Sequence, residues 1–74
     1  MQVIFRHKRL KEVRIKKNMT QEVLAERCNT SERYIRDLER GRKSHPSAEM
    51  LCLLASCLGI AMEELVDMEQ EDEV

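Results

Sequence analysis

Two helix-start signals stand close together in the middle of this chain. Thr20 precedes Gln21-Glu22, and Ser31 precedes Glu32-Arg33, with Cys28-Asn29-Thr30 between the two stretches. Ser and Thr favour N-caps because their side-chain oxygens accept from the first free backbone N–H groups, and an early carboxylate complements the helix macrodipole. After glycine, Asn is the residue that most readily enters the left-handed region, so Asn29 ends the first segment and turns the chain sharply. The pattern predicts two short helices, about 20–28 and 31–41, joined by a turn of about three residues. Val23, Leu24 and Ala25 supply the apolar contacts of one, and Ile35 and Leu38, with Glu39 beside them, the inner side of the other. A small residue at Ala25 lets the two cross closely. Glu32, Arg33, Arg36, Asp37 and Arg40 are left on the outer side of the second.

The rest of the chain also reads as helix, because apolar residues recur at helical spacing and no period-2 run is long enough for an expected strand. A first helix is expected over about 7–17, with Leu10, Val13 and Arg14 on one face and Asn18 as its stop. Pro46 is expected to open a fourth helix, with Leu51, Leu54, Ala55 and Leu58 inward and Gly59 as its stop. A fifth short helix is expected over about 62–66, capped only by Ala61 and so prone to fray. The reading is an all-α, compact five-helix bundle over residues 1–66, followed by an acidic, flexible tail over 67–74.

At 74 residues the chain is one small domain, too small for a cleft enzyme with a lid. Apolar residues make up 42% and charged residues 36%, a globular balance rather than a disordered one. No apolar run approaches the roughly 20 residues that span a bilayer, and the segment before Arg6 is too short for a signal peptide's apolar region, so a cytoplasmic protein away from membranes is expected. Cys28, Cys52 and Cys57 are odd in number and form no Cys-x-x-Cys pair, which reads as small apolar side chains in a reducing compartment. Cys52 and Cys57, five apart on one helix, point in different directions. Neither cysteines nor His7 and His45 show metal-ligand spacing, and no cofactor is expected.

Charge is segregated. Residues 1–43 hold all 13 Lys and Arg against six acids, leaving +7; residues 44–74 hold eight acids and no Lys or Arg, leaving −8; together they make the net −1. A basic half and an acidic half imply an anionic partner on one face and a different role for the other. The basic first helix reads mainly as a solvated face that adds long-range attraction.

The segments Leu10-Lys-Glu-Val-Arg14, Met19-Thr-Gln-Glu-Val-Leu-Ala-Glu-Arg27, Ser31-Glu-Arg-Tyr-Ile-Arg-Asp-Leu-Glu-Arg-Gly41, Pro46-Ser47 and Leu58-Gly-Ile60 together resemble the phage Cro and repressor type (XRE-like) helix-turn-helix family, across about residues 9–66. The resemblance implies a lambda-repressor-like five-helix fold, dimeric operator binding and transcriptional control. It implies that Glu32, Arg33, Arg36 and Asp37 face base edges, that Gln21 contacts the DNA backbone and braces the reading helix, and that Arg14 and Glu39 form a partly buried ion pair. The chain departs from the family pattern at Asn29, where glycine is usual, at Arg6, where an apolar residue is usual and Phe5 can substitute, and at Asp37 and Leu53.

Side-chain chemistry supports a duplex partner. Arginine binds guanine bidentately and carboxylates accept from the cytosine amino group, whereas the bland alternative is i,i+4 pairing of Glu32 with Arg36 and Arg33 with Asp37. Thr20, Gln21 and Ser31 at helix starts, Tyr34, Arg40, Arg42, Lys43 and Ser44 are the candidate phosphate contacts, which position without specifying. Only two aromatic residues, Phe5 and Tyr34, leave single-strand stacking unsupported. Leu53, Ile60, Met62 and Val66, with Met50 and Met68 nearby, give the acidic half more apolar side chains than its core needs, which points to a homodimer seam. The expected function is a sequence-specific regulator, a repressor binding an inverted repeat as a dimer. The alternatives are an antitoxin that also binds a toxin through its acidic half, a restriction–modification or mobile-element controller, and an interaction domain without DNA binding. No nucleophile–base pair or phosphate-cradling glycine loop suggests an enzyme.

Overall fold

The computed structural model describes residues 2–69. The element order is β1 (Gln2–Phe5), α1 (His7–Lys16), α2 (Gln21–Arg27), α3 (Glu32–Glu39), α4 (Ala48–Leu58), a 3-10 turn (Met62–Leu65) and β2 (Val66–Glu69).

All four helices end in the same way. The four residues with positive φ among those described, Asn18, Asn29, Gly41 and Gly59, each follow a helix. In each case the N–H after that residue reaches back to a carbonyl in the last turn: Met19 to Arg14, Thr30 to Ala25, Arg42 to Asp37 and Ile60 to Ala55. A second bond from the positive-φ residue itself closes the inner loop, to Ile15, Glu26, Leu38 and Ser56. This double closure satisfies carbonyls that the helix would otherwise orphan. Three starts are equally uniform. Thr20, Ser31 and Ser47 accept from the N–H of Val23, Tyr34 and Met50, each at 3.0 Å. The fourth helix therefore begins after a Ser47 cap rather than at Pro46.

The core is one cluster. Leu10 and Val13 of α1, Leu24 and Ala25 of α2, Ile35 and Leu38 of α3, and Leu54, Ala55 and Leu58 of α4 meet in it, joined by Phe5, Cys28 and Leu65. Val23, expected inward, is exposed, and Leu51 is only partly buried.

The five-helix, all-α expectation is corrected at both ends of the chain. Residues 62–65 make a single 3-10 turn whose cap position, Ala61, offers no side-chain oxygen. Val66 then takes φ −136° and ψ 149°, and the chain continues as a strand. β1 and β2 pair antiparallel, with Val3 opposite Met68 and Phe5 opposite Val66. Each strand has four residues, short of what sequence periodicity resolves. Of the tail expected at 67–74, residues 67–69 belong to this ribbon and 70–74 lie outside the described residues.

The ribbon fastens the start of α1. Phe5 is buried, filling the place expected for it when Arg6 replaced the usual apolar residue. The Arg6 N–H donates to the Leu65 carbonyl at 2.8 Å. The charged halves also meet here, through Arg9 and Glu64 at 2.9 Å and Arg6 and Asp67 at 3.6 Å. Part of the acidic half is thus matched within the chain. Among the described residues, no helix is long and apolar enough to cross a membrane.

Candidate nucleic-acid interface

α2 packs against α3 across the turn at Asn29, φ 54°, and Ala25 of α2 is buried. Ile35 and Leu38 anchor α3, both fully buried. The opposite flank of α3 is open: Glu32, Arg33 and Arg40 are exposed, and Arg36 and Asp37 are partly so.

The charges on that flank are arranged unevenly. Arg36 donates to Glu32 at 3.1 Å, one turn apart. Such an exposed pair is worth about 0.3–0.5 kcal/mol and opens easily. The corresponding pair of Arg33 with Asp37 does not form, and among the described residues Arg33 has no carboxylate within ion-pair distance. Its five N–H donors are therefore uncommitted. Arg33, Asp37, Ser31, Tyr34 and Lys43 line one shallow depression. Lys43 reaches over the Tyr34 ring, its Nζ 6.0 Å from the centroid. Partial burial raises the Tyr34 phenol above its ordinary pKa.

The loop after α3 is placed by the helix itself. The Asp37 carbonyl accepts from both Arg42 N–H, at 2.9 Å, and Lys43 N–H, at 3.3 Å. Arg42, Lys43 and Ser44 are exposed, and the Ser44 hydroxyl bonds the His45 ring at 2.9 Å. Arg40 directly precedes them as the α3 cap residue. The basic residues expected near a phosphate backbone thus continue directly from the C-terminal end of α3.

Behind α3 lies a buried polar network. Glu39 accepts from Arg14 Nε at 2.6 Å and Nη2 at 3.1 Å, and from Gln21 Nε2 at 3.1 Å. Arg14 Nη1 donates to the Met19 carbonyl at 2.8 Å. Arg14 and Glu39 are 8% and 6% exposed, so the charges are desolvated and need each other. The network ties α1, the α1–α2 turn, α2 and α3 together. Gln21 thereby braces α3 through its amide group, while Thr20 beside it is exposed.

The four residues expected at a dimer seam, Leu53, Ile60, Met62 and Val66, are each partly buried, and the first three pack against the core. They lie on α4, the loop and 3-10 turn that follow, and β2. Sequence reasoning missed two features. One is the ribbon, for which the β-branched run Val3-Ile4 and the alternation Val66-Asp67-Met68 were the available signals. The other is the approach of Cys28 to Cys57, for which a single sequence holds no signal.

Comparison with known proteins agrees with this geometry. A helix-turn-helix family model matches residues 10–65. The immunity repressor of Bacillus phage phi105 is 39% identical over 61 residues, 82% of this chain and 42% of the repressor. This chain belongs to the phage-repressor (XRE-like) helix-turn-helix family. It spans about two fifths of that repressor's length. Among solved structures, the restriction–modification controller protein C.AhdI from Aeromonas hydrophila is 33% identical with a TM-score of 0.74, covering 78% of this chain and 86% of its own. The N-terminal DNA-binding domain of SinR from Bacillus subtilis is 26% identical with a TM-score of 0.77, covering 88% and 94%.

Proposed function

We propose that this helix-turn-helix protein is a sequence-specific regulator of transcription that binds double-stranded DNA, acting as a homodimeric repressor on a short inverted repeat. The observation that carries the reading is α3 itself. It is anchored by fully buried apolar residues on one side and presents on the other an arginine with no ion-pair partner among the described residues. A major groove accepts a helix, and the commonest specific contact there is arginine to guanine O6 and N7.

In this reading Arg33 binds guanine, and Glu32 and Asp37 accept from exocyclic amino groups of cytosine or adenine. Arg36 exchanges its bond to Glu32 for a base or phosphate. Thr20, Gln21, Ser31, Tyr34, Arg40, Arg42, Lys43 and Ser44 contact the backbone on either side. One reading helix touches too few base pairs to be selective, and two copies one helical turn apart read a palindrome. The half-buried Leu53, Ile60, Met62 and Val66 supply the seam. The likeness to an immunity repressor and to a restriction–modification controller offers two genetic settings for one DNA mechanism.

The test is selection of bound duplexes from a random pool, followed by a salt titration. An inverted repeat is expected, with log affinity falling against log salt by about 0.9 for each phosphate neutralised. Arg33→Ala should relax selection at one position in each half-site, and Lys43→Ala should weaken all duplexes alike. A flat salt response, or selection of no common sequence, refutes the reading.

A further inference from the structure

Cys28 and Cys57 are 29 residues apart in sequence, yet their sulfurs stand 3.6 Å from one another, the Cys28 thiol donating weakly to Cys57. From this geometry we infer that the two thiols are an oxidisable pair that a hydroperoxide closes to an intramolecular disulfide, and that closure acts on the helix-turn-helix.

The placement carries the inference. Cys28 is the C-cap of α2, and the next residue is Asn29 with its left-handed backbone, so its sulfur sits at the hinge between α2 and α3. Cys57 lies in the last turn of α4, which packs against α2. A disulfide needs about 2.05 Å between sulfurs, so they must close by about 1.5 Å. α4 is the longer helix and is fixed by three buried side chains, Leu54, Ala55 and Leu58, so the closure is taken up at the turn. The crossing of α2 with α3 changes, and with it the aim of the reading flank.

The order of reaction follows from exposure. Cys28 is 1% exposed and burial pushes its thiol up to about 12, so it is not the first to react. Cys57 is half-buried, and a small peroxide reaches it. Its sulfur attacks one oxygen of hydrogen peroxide, the O–O bond breaks, and water leaves with the thiol proton, giving a sulfenic acid. The Cys28 sulfur then attacks the Cys57 sulfur, the S–O bond breaks, and the hydroxyl leaves as a second water with the Cys28 proton. Two thiols lose two electrons to the peroxide, which becomes two waters. The exposed Cys52 is not positioned by this pair and is removed for the test.

The bond is tested independently of DNA, whereas its consequence rests on the DNA-binding reading above. The full chain carrying Cys52→Ser is treated with hydrogen peroxide without reductant. Intact mass should fall by about 2 Da, peptide mapping should link Cys28 to Cys57, and a thiol reductant should reverse both. Cys57→Ser, which leaves the fully buried Cys28 in place, should abolish the link while keeping the helical circular dichroism. On a selected duplex, oxidation should reduce affinity about tenfold or more, the equivalent of one or two base contacts, and reductant should restore it. Stable sulfinic acid or intermolecular dimers in place of the linked peptide overturn the assignment. A quantitative link with unchanged affinity overturns the action on the helix-turn-helix. If the reduced protein selects no duplex, the functional reading fails while the mass result still decides the disulfide.

Discussion

Replacing Glu39 by alanine should be among the most damaging single changes in this domain, although Glu39 is buried and meets the proposed DNA surface only through its bond from Gln21. Its carboxylate accepts three hydrogen bonds, two from Arg14 and one from Gln21, in a position where both ionic partners are more than nine-tenths buried. Removing one member of such a pair leaves the other charge desolvated and uncompensated, which costs about 3–5 kcal/mol. A domain of this length has a total stability of roughly 4–11 kcal/mol, so the loss takes about a quarter of it or more. With a urea m-value of about 1 kcal/mol per molar, the denaturation midpoint should fall by about 3 M or more, and at the low end of that stability range the variant is largely unfolded at 37 °C. The control is a double variant, Arg14→Met with Glu39→Leu, which removes both charges and keeps the volume. It should lie well above either single variant and near the wild type, because apolar replacement of a whole buried pair is often neutral or stabilising. Gln21→Ala should cost far less than Glu39→Ala, since the bidentate Arg14 contact survives it. Equilibrium denaturation followed by circular dichroism measures the wild type, Glu39→Ala, Gln21→Ala, the double variant and its two singles, Arg14→Met and Glu39→Leu. The reasoning is refuted if Glu39→Ala stays within about 1 kcal/mol of wild type, or if the double variant is no more stable than the singles.

Two further outcomes can be measured on the same footing. Asn29 holds a left-handed conformation at φ 54°, so Asn29→Gly should raise stability by a few tenths to 1 kcal/mol, and Asn29→Ala should lower it by about 1 kcal/mol, as read from thermal midpoints. Burial raises the Cys28 thiol from 9.0 to about 12, so its contribution to stability is complete below pH 9.0 and is lost as pH rises toward about 12, because the unfolded chain ionises there and the folded one does not. Denaturation midpoints taken across that window should fall less steeply for Cys28→Ala than for wild type; equal slopes would mean that the thiol is not desolvated in the folded protein.

The agreement between sequence and structure is closest where the deciding forces are local. Thr20, Ser31, Asn18, Asn29, Gly41 and Gly59 mark helix ends because capping and left-handed turns depend on a residue and its neighbours within one helical turn. Helical spacing assigns Leu10, Leu24, Ile35, Leu38, Leu54 and Leu58 to the core, and all are buried. The same spacing assigns Val23 to the core, yet it is exposed, since a helix of seven residues offers a narrow stripe and periodicity does not fix which edge of it meets the core. The Arg14–Glu39 pair came only from family resemblance; nothing in the spacing of residues 25 apart announces a bond.

By itself the amino-acid order determined that four helices form and where they stop, most of the residues that face inward, and that the third would carry charge outward, while the start of the fourth and the inward edge of the second differ from it. Those properties follow from caps, backbone strain and apolar period, all settled within a few residues. The tertiary structure alone decided that residues 66–69 extend and pair with 2–5, that Gln21 joins the buried ionic network, that Arg36 and not Arg33 finds a carboxylate among the described residues, and that two distant sulfurs meet. Each of these depends on segments brought together only when the core closes: a strand of four residues is stabilised by its partner strand, and a side-chain bond by where two helices happen to cross.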